Sequence, residues 1–342
     1  MILAASNLIA IAGAAMPIAA PQPALPDIAY VSALEPPLPP APDDAEQARD
    51  GHSMSDPEHG GELRPDPETP PRIAGVDILA GGKLLLTNGV TTVEGSSGGG
   101  LARWATIGGR QMGGGIGLSA HATAIELADY GWQSYGVMLG IGDRVELSYA
   151  RADFDTREIG ALLGIGEGYT FNLDTFGAKV RVAGDVAYGE TWMPQIAVGI
   201  EHKRSCNGAL VQALGAVEAS GTDYTLSATN LFLAQSLLVN ATMRYTKANE
   251  LGLLGFGTAA GAGYNLQFEG SLGYQLSRRA VVGAEYRSKP DNLGLGDDDW
   301  MDLFAAYALT DHVTLTAAFV DLGSIATFSG QRGGFLSAQV AF

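Results

Sequence analysis

The sequence predicts an all-β protein: a transmembrane antiparallel up-and-down β-barrel preceded by a disordered N-terminal segment. Three observations lead to this prediction. Apolar and polar residues alternate in paired segments of about the length that a tilted strand needs to cross a bilayer. Short turns within the pairs alternate with long loops between them. The last segment, GGFLSAQVAF, continues the alternation to the final residue, and only a closed barrel would leave such a terminal strand without a free edge.

The composition divides the chain near residue 75. The first 80 residues hold twelve Asp or Glu and three Lys or Arg, whereas 42 of the 47 glycines follow residue 80. Residues 1–20 are apolar and rich in small residues, which predicts a signal peptide, although no Lys or Arg precedes the apolar run. Residues 21–74 are rich in proline and acidic side chains, and we expect a disordered tether there. The barrel is then expected to occupy residues 75–342.

Both N-terminal assignments have an alternative. Residues 1–20 could form a transmembrane anchor, but Gly13 and Pro17 interrupt the run and it barely reaches the roughly 20 residues of a span. PPLPP at 36–40 could bind a periplasmic partner, but such proline runs are common in plain linkers.

The overall composition excludes several classes of site. The formal net charge of −17 argues against a nucleic-acid partner. The single cysteine, Cys206, rules out an intramolecular disulfide and a zinc cluster built on cysteines. We expect no cofactor, no metal and no catalytic site.

The alternation predicts fourteen strands. Their approximate bounds are 83–93, 98–108, 115–127, 132–141, 144–154, 171–183, 192–203, 223–233, 236–248, 264–276, 280–288, 300–309, 312–322 and 333–342. The first two strands depend on the weakest pattern, because TNGVTTVEGSSGGG at 87–100 could instead form a threonine- and glycine-rich plug inside the lumen. Twelve strands is therefore the alternative count.

Alternation alone does not distinguish a membrane barrel, with its polar face inside, from a soluble sandwich, with its polar face in water. The polar faces here carry few charges, of both signs, which favours a lumen over a solvated surface. The candidate lumen-lining residues are Arg103, His121, Glu146, Lys179, Arg181, Glu201, Arg244, Glu269, Glu285, Arg287 and Asp302.

Aromatic residues near the strand ends predict an interfacial girdle. They are Trp104, Trp132, Tyr135, Tyr149, Trp192, Tyr224, Tyr245, Tyr286, Trp300 and Phe319. Phe342 would lie at the periplasmic rim and face lipid. A last strand that ends on phenylalanine resembles the assembly signal that the barrel-assembly machinery reads on bacterial outer-membrane proteins.

Several segments resemble a known family. DRVELSYARADFDT, LFLAQSLLVNATMR, AVVGAEYRSKPDNL and DDWMDLFAAYA are among the stretches that are similar to a family of proteobacterial proteins described only as a domain of unknown function. The resemblance covers about residues 79–342. It implies an outer-membrane, porin-like barrel, and it brings no catalytic residues with it.

Three functions are compatible with such a barrel. The first is a passive or selective channel for small polar solutes, with the lipid bilayer as its surroundings. The second is a closed structural barrel whose tether contacts a periplasmic partner. The third, a hydrolase, is disfavoured, because only His121 lies within a strand, beside Ser119 and Thr123, and no acid partner is evident. The chain is shorter than that of a trimeric porin, so we expect a monomer.

Overall fold

The computed structural model describes residues 83, 85–86, 89–187, 189, 192–258, 261 and 263–342, with the backbone of 72–73 and 76–77. Twelve long strands dominate it. They are β1 (Ile116–Glu126), β2 (Gly131–Ile141), β3 (Val145–Asp155), β4 (Thr170–Ala183), β5 (Gln195–Ser205), β6 (Ser220–Phe232), β7 (Leu237–Thr246), β8 (Asn265–Ser277), β9 (Ala280–Arg287), β10 (Trp300–Ala308), β11 (Val313–Asp321) and β12 (Arg332–Ala341). Helices α1 (Ile159–Leu162) and α2 (Gly208–Ala213) lie in loops, as do the 3₁₀ turns Leu233–Gln235 and Glu250–Gly252.

The twelve strands form one closed antiparallel barrel. Each strand pairs with its neighbours in the sequence, and β12 closes the barrel on β1 through pairs that run from Gly334↔Glu126 to Ala341↔Ser119. The alternative count of twelve is therefore correct and the count of fourteen is wrong. Each of the other twelve predicted strands begins and ends within three residues of an observed strand.

The count of fourteen fails because residues 89–109 have no face that meets lipid. Every one of them is buried, so their apolar side chains do not alternate between two environments as a wall strand requires. Within this stretch Val90–Thr91 pairs with Ser97–Gly98 as a small two-stranded sheet of its own. A twelve-stranded barrel encloses more space than its own side chains fill, and this segment occupies it.

The two faces of the wall differ as a membrane barrel requires. In β12, Leu336 is 60% exposed on the outside, whereas Phe335 is 3% exposed on the inside. Large apolar side chains cover the outer surface of the other strands in the same way, including Leu118, Val137, Leu147, Phe176, Ile200, Phe268, Leu272 and Leu303. An apolar exterior around a polar interior is the architecture of bacterial outer-membrane proteins, and this barrel is an outer-membrane barrel.

The two ends of the barrel are built differently. Short connections at 142–144, 233–236, 278–279 and 309–312 lie at the end where the chain stops. Longer loops at 156–169, 206–219, 247–264, 288–299 and 322–331 lie at the opposite end. Residues 127–130 and 184–194 depart from this pattern, being a tight turn at the long-loop end and a longer link at the short-turn end. Outer-membrane barrels place the long loops outside the cell and the short turns in the periplasm.

An apolar core fills the long-loop end of the barrel. It joins inward side chains of the wall, such as Trp132, Trp300 and Phe335, to loop residues such as Leu253 and Ile325. The two tryptophan rings pack edge to face at 5.8 Å. The predicted girdle is therefore wrong for Trp132 and Trp300, which are buried because the lumen near the loops is itself apolar. It is also wrong for Trp104, which is buried against Leu231 and Leu238 at the short-turn end.

The predicted signal peptide at 1–20 and residues 21–71 of the predicted tether lie outside the described residues. At the end of the predicted tether, Arg72–Ile73 pairs with Val76–Asp77 in a two-stranded sheet. Within the described part of the chain, no helix is long and apolar enough to cross a membrane.

Candidate functional site: the plugged lumen

The lumen holds the segment 89–111, here called the plug segment. It enters from the short-turn end, where Lys83 donates to the carbonyl of Ile107 at 2.6 Å and pairs with Asp143 at 2.6 Å. It leaves at the same end, where the amide of Arg110 donates to the carbonyl of Phe342 at 3.0 Å. Glycine is required where the plug segment meets the wall closely. A Cβ at Gly95, whose φ is +88°, would collide with Ala150.

The centre of the plug segment is bound by charge. The carboxylate of Glu94 accepts from Arg287 at 2.7 Å and from Arg244 at 3.0 Å, and it also contacts the ammonium of Lys203. These three cations come from β9, β7 and β5, so one carboxylate connects three strands across the lumen. All four side chains are almost fully buried, where an unpaired charge would cost several kcal/mol.

Arg244 is the most highly connected of these cations. Besides Glu94, it donates to Glu201 at 2.5 Å, to Glu269 at 2.6 Å and to Asp223 at 3.1 Å. Four carboxylates around one guanidinium would repel one another, and Lys203, Arg287 and Arg103 offset that repulsion. The cluster is therefore a network in which each charge depends on several partners.

A second cluster binds the two arms of the plug segment to the adjoining wall strands β3 and β4. Glu146 of β3 accepts from the Ser96 hydroxyl at 2.8 Å and from the Gly108 amide at 2.7 Å. Lys179 of β4 lies 3.2 Å from Glu146 and donates to the carbonyls of Ser97 and Trp104, both at 3.1 Å. Wall side chains thus bond to backbone groups of the plug segment.

Wall carboxylates also accept from backbone amides at the tip of the plug segment. Glu285 accepts from the amide of Leu101 at 2.7 Å, and Glu269 accepts from the amide of Arg103 at 2.8 Å. Asp302 lies opposite Glu285 in the sheet register, and neither of its carboxylate oxygens has a hydrogen-bond partner among the described residues. The carboxyl groups of Glu285 and Asp302 are therefore neighbours in the wall, and the described donors bond to Glu285 and not to Asp302.

The structure places the predicted lumen residues as follows. Ten of the eleven are buried inside the barrel: Arg103, His121, Glu146, Lys179, Glu201, Arg244, Glu269, Glu285, Arg287 and Asp302. Arg103 belongs to the plug segment and not to a wall strand, because the predicted strand 98–108 is part of the plug segment. Arg181 is half-buried at the short-turn end, where it pairs with Asp143 and Asp185, each at 3.0 Å.

Phe342 occupies the position expected from the alternation. Its side chain is exposed at the short-turn end and stacks on His312 with 5.1 Å between the ring centroids. Its backbone nitrogen donates to the carbonyl of Leu118 at 2.8 Å, so the final residue still pairs with β1. Its role as an assembly signal stays a prediction.

Sequence reasoning missed Glu94, Lys203 and Asp223. Lys203 lies two residues after Glu201 in β5 and therefore shares its inward face, which the alternation alone could have shown. Asp223 lies opposite Glu201 in β6. Glu94 lies within the stretch 87–100 that the sequence marks as a possible plug, but no pattern connects it with its partners.

The acidic oxygens of Glu94, Glu201 and Asp223 lie within 4.8 Å of one another, which is the geometry of a metal site. Arg244 bonds to all three of these carboxylates. The guanidinium of Arg244 thus already takes the place that a metal ion would occupy. With Arg244 there, these three carboxylates do not fit a metal ion.

His121 does not form a catalytic arrangement with its neighbours. Its Nε2 lies 3.4 Å from the Ser134 hydroxyl, and its Nδ1 has no hydrogen-bond partner among the described residues. Thr123 bonds to Ser337 at 2.7 Å, and the Ser119 hydroxyl accepts from the amide of Gly109 at 3.0 Å. The group that would orient a histidine base is not in place.

Comparisons with known proteins add a family. The family model described as "Protein of unknown function (DUF3034)" matches residues 87–339, which include the plug segment and nearly all of the barrel. This match confirms the resemblance found in the sequence. No curated protein matches the chain.

Solved structures of bacterial barrels resemble the chain at low identity. The KdgM porin in complex with disordered oligogalacturonate has 10% identity and a TM-score of 0.43, covering 66% of this chain and 99% of that chain. The NanC porin has 9% identity and a TM-score of 0.41, covering 66% and 98%. Outer membrane phospholipase A from Escherichia coli has 13% identity and a TM-score of 0.35, covering 66% and 91%.

Proposed function

We propose that this chain, which belongs to the DUF3034 family of proteins of unknown function, is a gated outer-membrane channel closed by its own plug segment. The proposal rests on the type of contact that holds the plug segment in the lumen. The centre of the plug segment is bound to the lumen wall mainly by ion pairs and by hydrogen bonds to wall side chains. Once water enters the lumen it can replace these contacts, because a hydrogen bond exchanged for one to water is worth only about 0.5–1.5 kcal/mol net.

The wall behind the plug segment suits the passage of small polar solutes. Movement of the plug segment would leave wall cations such as Lys179, Lys203 and Arg244 facing wall acids such as Glu146, Glu201 and Glu269. Rows of charge of both signs select solutes by charge and polarity. The barrel conducts only after the plug segment has moved. The proposed channel is therefore gated and is not a permanently open, passive pore.

A second candidate is a permanently closed structural barrel. The observation that favours it is the saturation of Arg244, which bonds to four carboxylates at once. A network connected in this way is costly to open one contact at a time. The two functions differ in whether the plug segment ever leaves the lumen: a gated channel requires it to do so, and a structural barrel does not.

A disulfide lock distinguishes the two functions. The Cβ of a residue at 108 would lie 3.4 Å from the Cβ of Met138, close to the spacing of a disulfide. We would combine Gly108→Cys and Met138→Cys with Cys206→Ser and record single-channel conductance in planar bilayers. Gating by the plug segment predicts silence when the pair is oxidised and conductance steps after reduction.

The matched control is Gly108→Cys with Cys206→Ser, which cannot form the lock and should respond equally with and without reductant. Steps that persist in the oxidised double variant would show that solutes bypass the plug segment. Silence in every protein, although each is folded and heat-modifiable, would favour the structural barrel.

A further inference from the structure

A small cavity lies at the long-loop end of the barrel. Its volume is about 110 Å³, and residues from six different strand connections line it. Its aromatic walls are Tyr130, Trp132, Phe154 and Phe171, and its other walls are mostly leucine and isoleucine side chains. We call this space the outer cavity. None of the lumen charges discussed above lines it.

The size of the outer cavity restricts what it can hold. An apolar cavity of roughly 150 Å³ inside a protein stays dry and binds benzene. The outer cavity is of the same order and is also lined by rings, which favours a single aromatic ring over a sugar, a peptide or a long acyl chain.

Two polar groups in the outer cavity indicate what the ring should carry. The indole nitrogen of Trp132 is buried and has no hydrogen-bond partner among the described residues. The carboxyl group of Glu250 also lines the cavity and accepts from Lys289 at 2.7 Å. A buried donor without a partner costs about 1–3 kcal/mol, so a ligand that brings an acceptor oxygen gains by satisfying it.

A charged ligand does not fit this site. The Lys289 ammonium already lies 2.7 Å from Glu250 and 3.9 Å from Asp297, so the cation next to the cavity is shared by two carboxyl groups and is not free for an added anion. Burial raises the pKa of Glu250 to about 8, with the Asp297 carboxylate adding to the rise and the Lys289 ammonium opposing it. The remaining walls are mostly apolar and would leave an added charge poorly solvated.

We propose that the outer cavity binds a small uncharged aromatic molecule that carries one hydroxyl or carbonyl oxygen. The ring would lie among Trp132, Phe154 and Phe171, and its oxygen would accept from the Trp132 indole. Trp132 also belongs to the same packed core as Val93 and Leu101 of the plug segment. A ligand in the outer cavity therefore touches a packed core that the plug segment shares, although binding itself needs no movement of that segment.

The test uses 4-fluorobenzyl alcohol as the probe and the full chain in detergent. Fluorine NMR of the probe is expected to show a saturable shift or broadening with the wild-type protein. Leu163 lines the outer cavity, so Leu163→Trp should fill part of it and weaken binding by about tenfold or more.

The matched control is Leu162→Trp. Leu162 is the preceding residue, is 74% exposed and does not line the outer cavity, so binding should stay as in the wild type. Equal weakening in both variants, or no saturable signal with the wild type, would overturn the proposal. Heat modifiability on a gel verifies that each variant is folded. Conductance plays no part in this measurement, so its outcome is separate from that of the channel proposal.

Discussion

The carboxylate of Glu94 in the plug segment accepts a hydrogen bond of 2.7 Å from Arg287 in the barrel wall. The same carboxylate contacts Arg244 and Lys203, so it reduces the repulsion between cations from three strands. The closed lumen therefore depends on a charge that the plug segment supplies. If the plug segment leaves, water or a solute has to take the place of Glu94.

Glu94→Gln should weaken the closure. The amide keeps the shape of the side chain but leaves the three cations short of one negative charge, and breaking a buried pair costs about 3–5 kcal/mol. We expect a lower melting temperature and more frequent conductance steps in planar bilayers than for the wild type. Glu126→Gln is the control, because Glu126 is 70% exposed and pairs with Arg157 at the surface. Unchanged melting and conductance in Glu94→Gln would refute the role of Glu94.

Two wall carboxyl groups should respond oppositely to neutralisation. Glu269→Gln removes the charge that Arg244 and the Arg103 amide contact, so it should destabilise the barrel by about 3–5 kcal/mol. Asp302→Asn removes a carboxylate that lies opposite Glu285, so it should leave stability unchanged or raise it. Denaturant titration of the two variants in parallel measures the difference. Equal losses of stability would contradict the account of the network.

The outer face should tolerate charge only near the rim. Leu336→Arg places a guanidinium in the middle of β12, facing lipid, which costs about 2–4 kcal/mol at the bilayer midplane. Leu309→Arg is the matched change in a turn at the short-turn end, where the cost falls to about 0–1 kcal/mol. Folding into lipid vesicles under a denaturant gradient measures both. In a soluble barrel both changes would be nearly neutral, and that result would count against a membrane barrel.

The loop carboxyl Glu250 should make stability depend on pH. Because burial raises its pKa from 4.5 to about 8, the folded protein holds this proton more tightly than the unfolded chain does. The resulting stabilisation is fully present below pH 4.5 and is lost as the pH rises to about 8. Glu250→Gln removes this contribution, so its melting temperature should fall less than that of the wild type over this range.

The control for the pH series is Glu158→Gln, which changes an exposed loop carboxyl. Its melting temperatures should follow the wild-type curve between pH 5 and 9. If Glu250→Gln also follows the wild-type curve, the buried carboxyl does not hold its proton as described.

The barrel strands could be predicted from the sequence because lipid imposes one strict rule on them. Leu336 and Phe342 face out while Phe335 and Ser337 face in, and a period of two shows this without any structure. The plug segment follows no such rule. Leu101, Trp104 and Ile107 are all buried at a spacing of three, so the prediction of a strand over 98–108 was wrong.

The charge network could be predicted only in part. The alternation places Glu201 and Arg244 on inward faces, but it does not show that they meet across strands that are about forty residues apart in the chain. No repeating pattern in the sequence predicts where Glu94 lies, because its position depends on the path of the plug segment. Trp132 and Trp300 were assigned to the membrane interface since tryptophan favours it, yet the apolar core beneath the loops buries them equally well.

The central claim is that the plug segment lies inside the barrel and is bonded to its wall. The amides of Leu101, Arg103, Ala105 and Gly108 lie outside the strand ladder, yet each donates to a buried wall side chain at 2.7–2.8 Å. Hydrogen exchange followed by mass spectrometry on the peptide 99–109 tests this most directly.

The structure predicts that this peptide exchanges slowly in the wild type, like the barrel strands, and faster in Glu94→Gln. The loop peptide 290–299 provides the internal reference for rapid exchange, because few of its backbone amides are hydrogen-bonded. Exchange of 99–109 at the rate of that loop in the wild-type protein would contradict the account, because it would mean that the lumen is not filled by this segment.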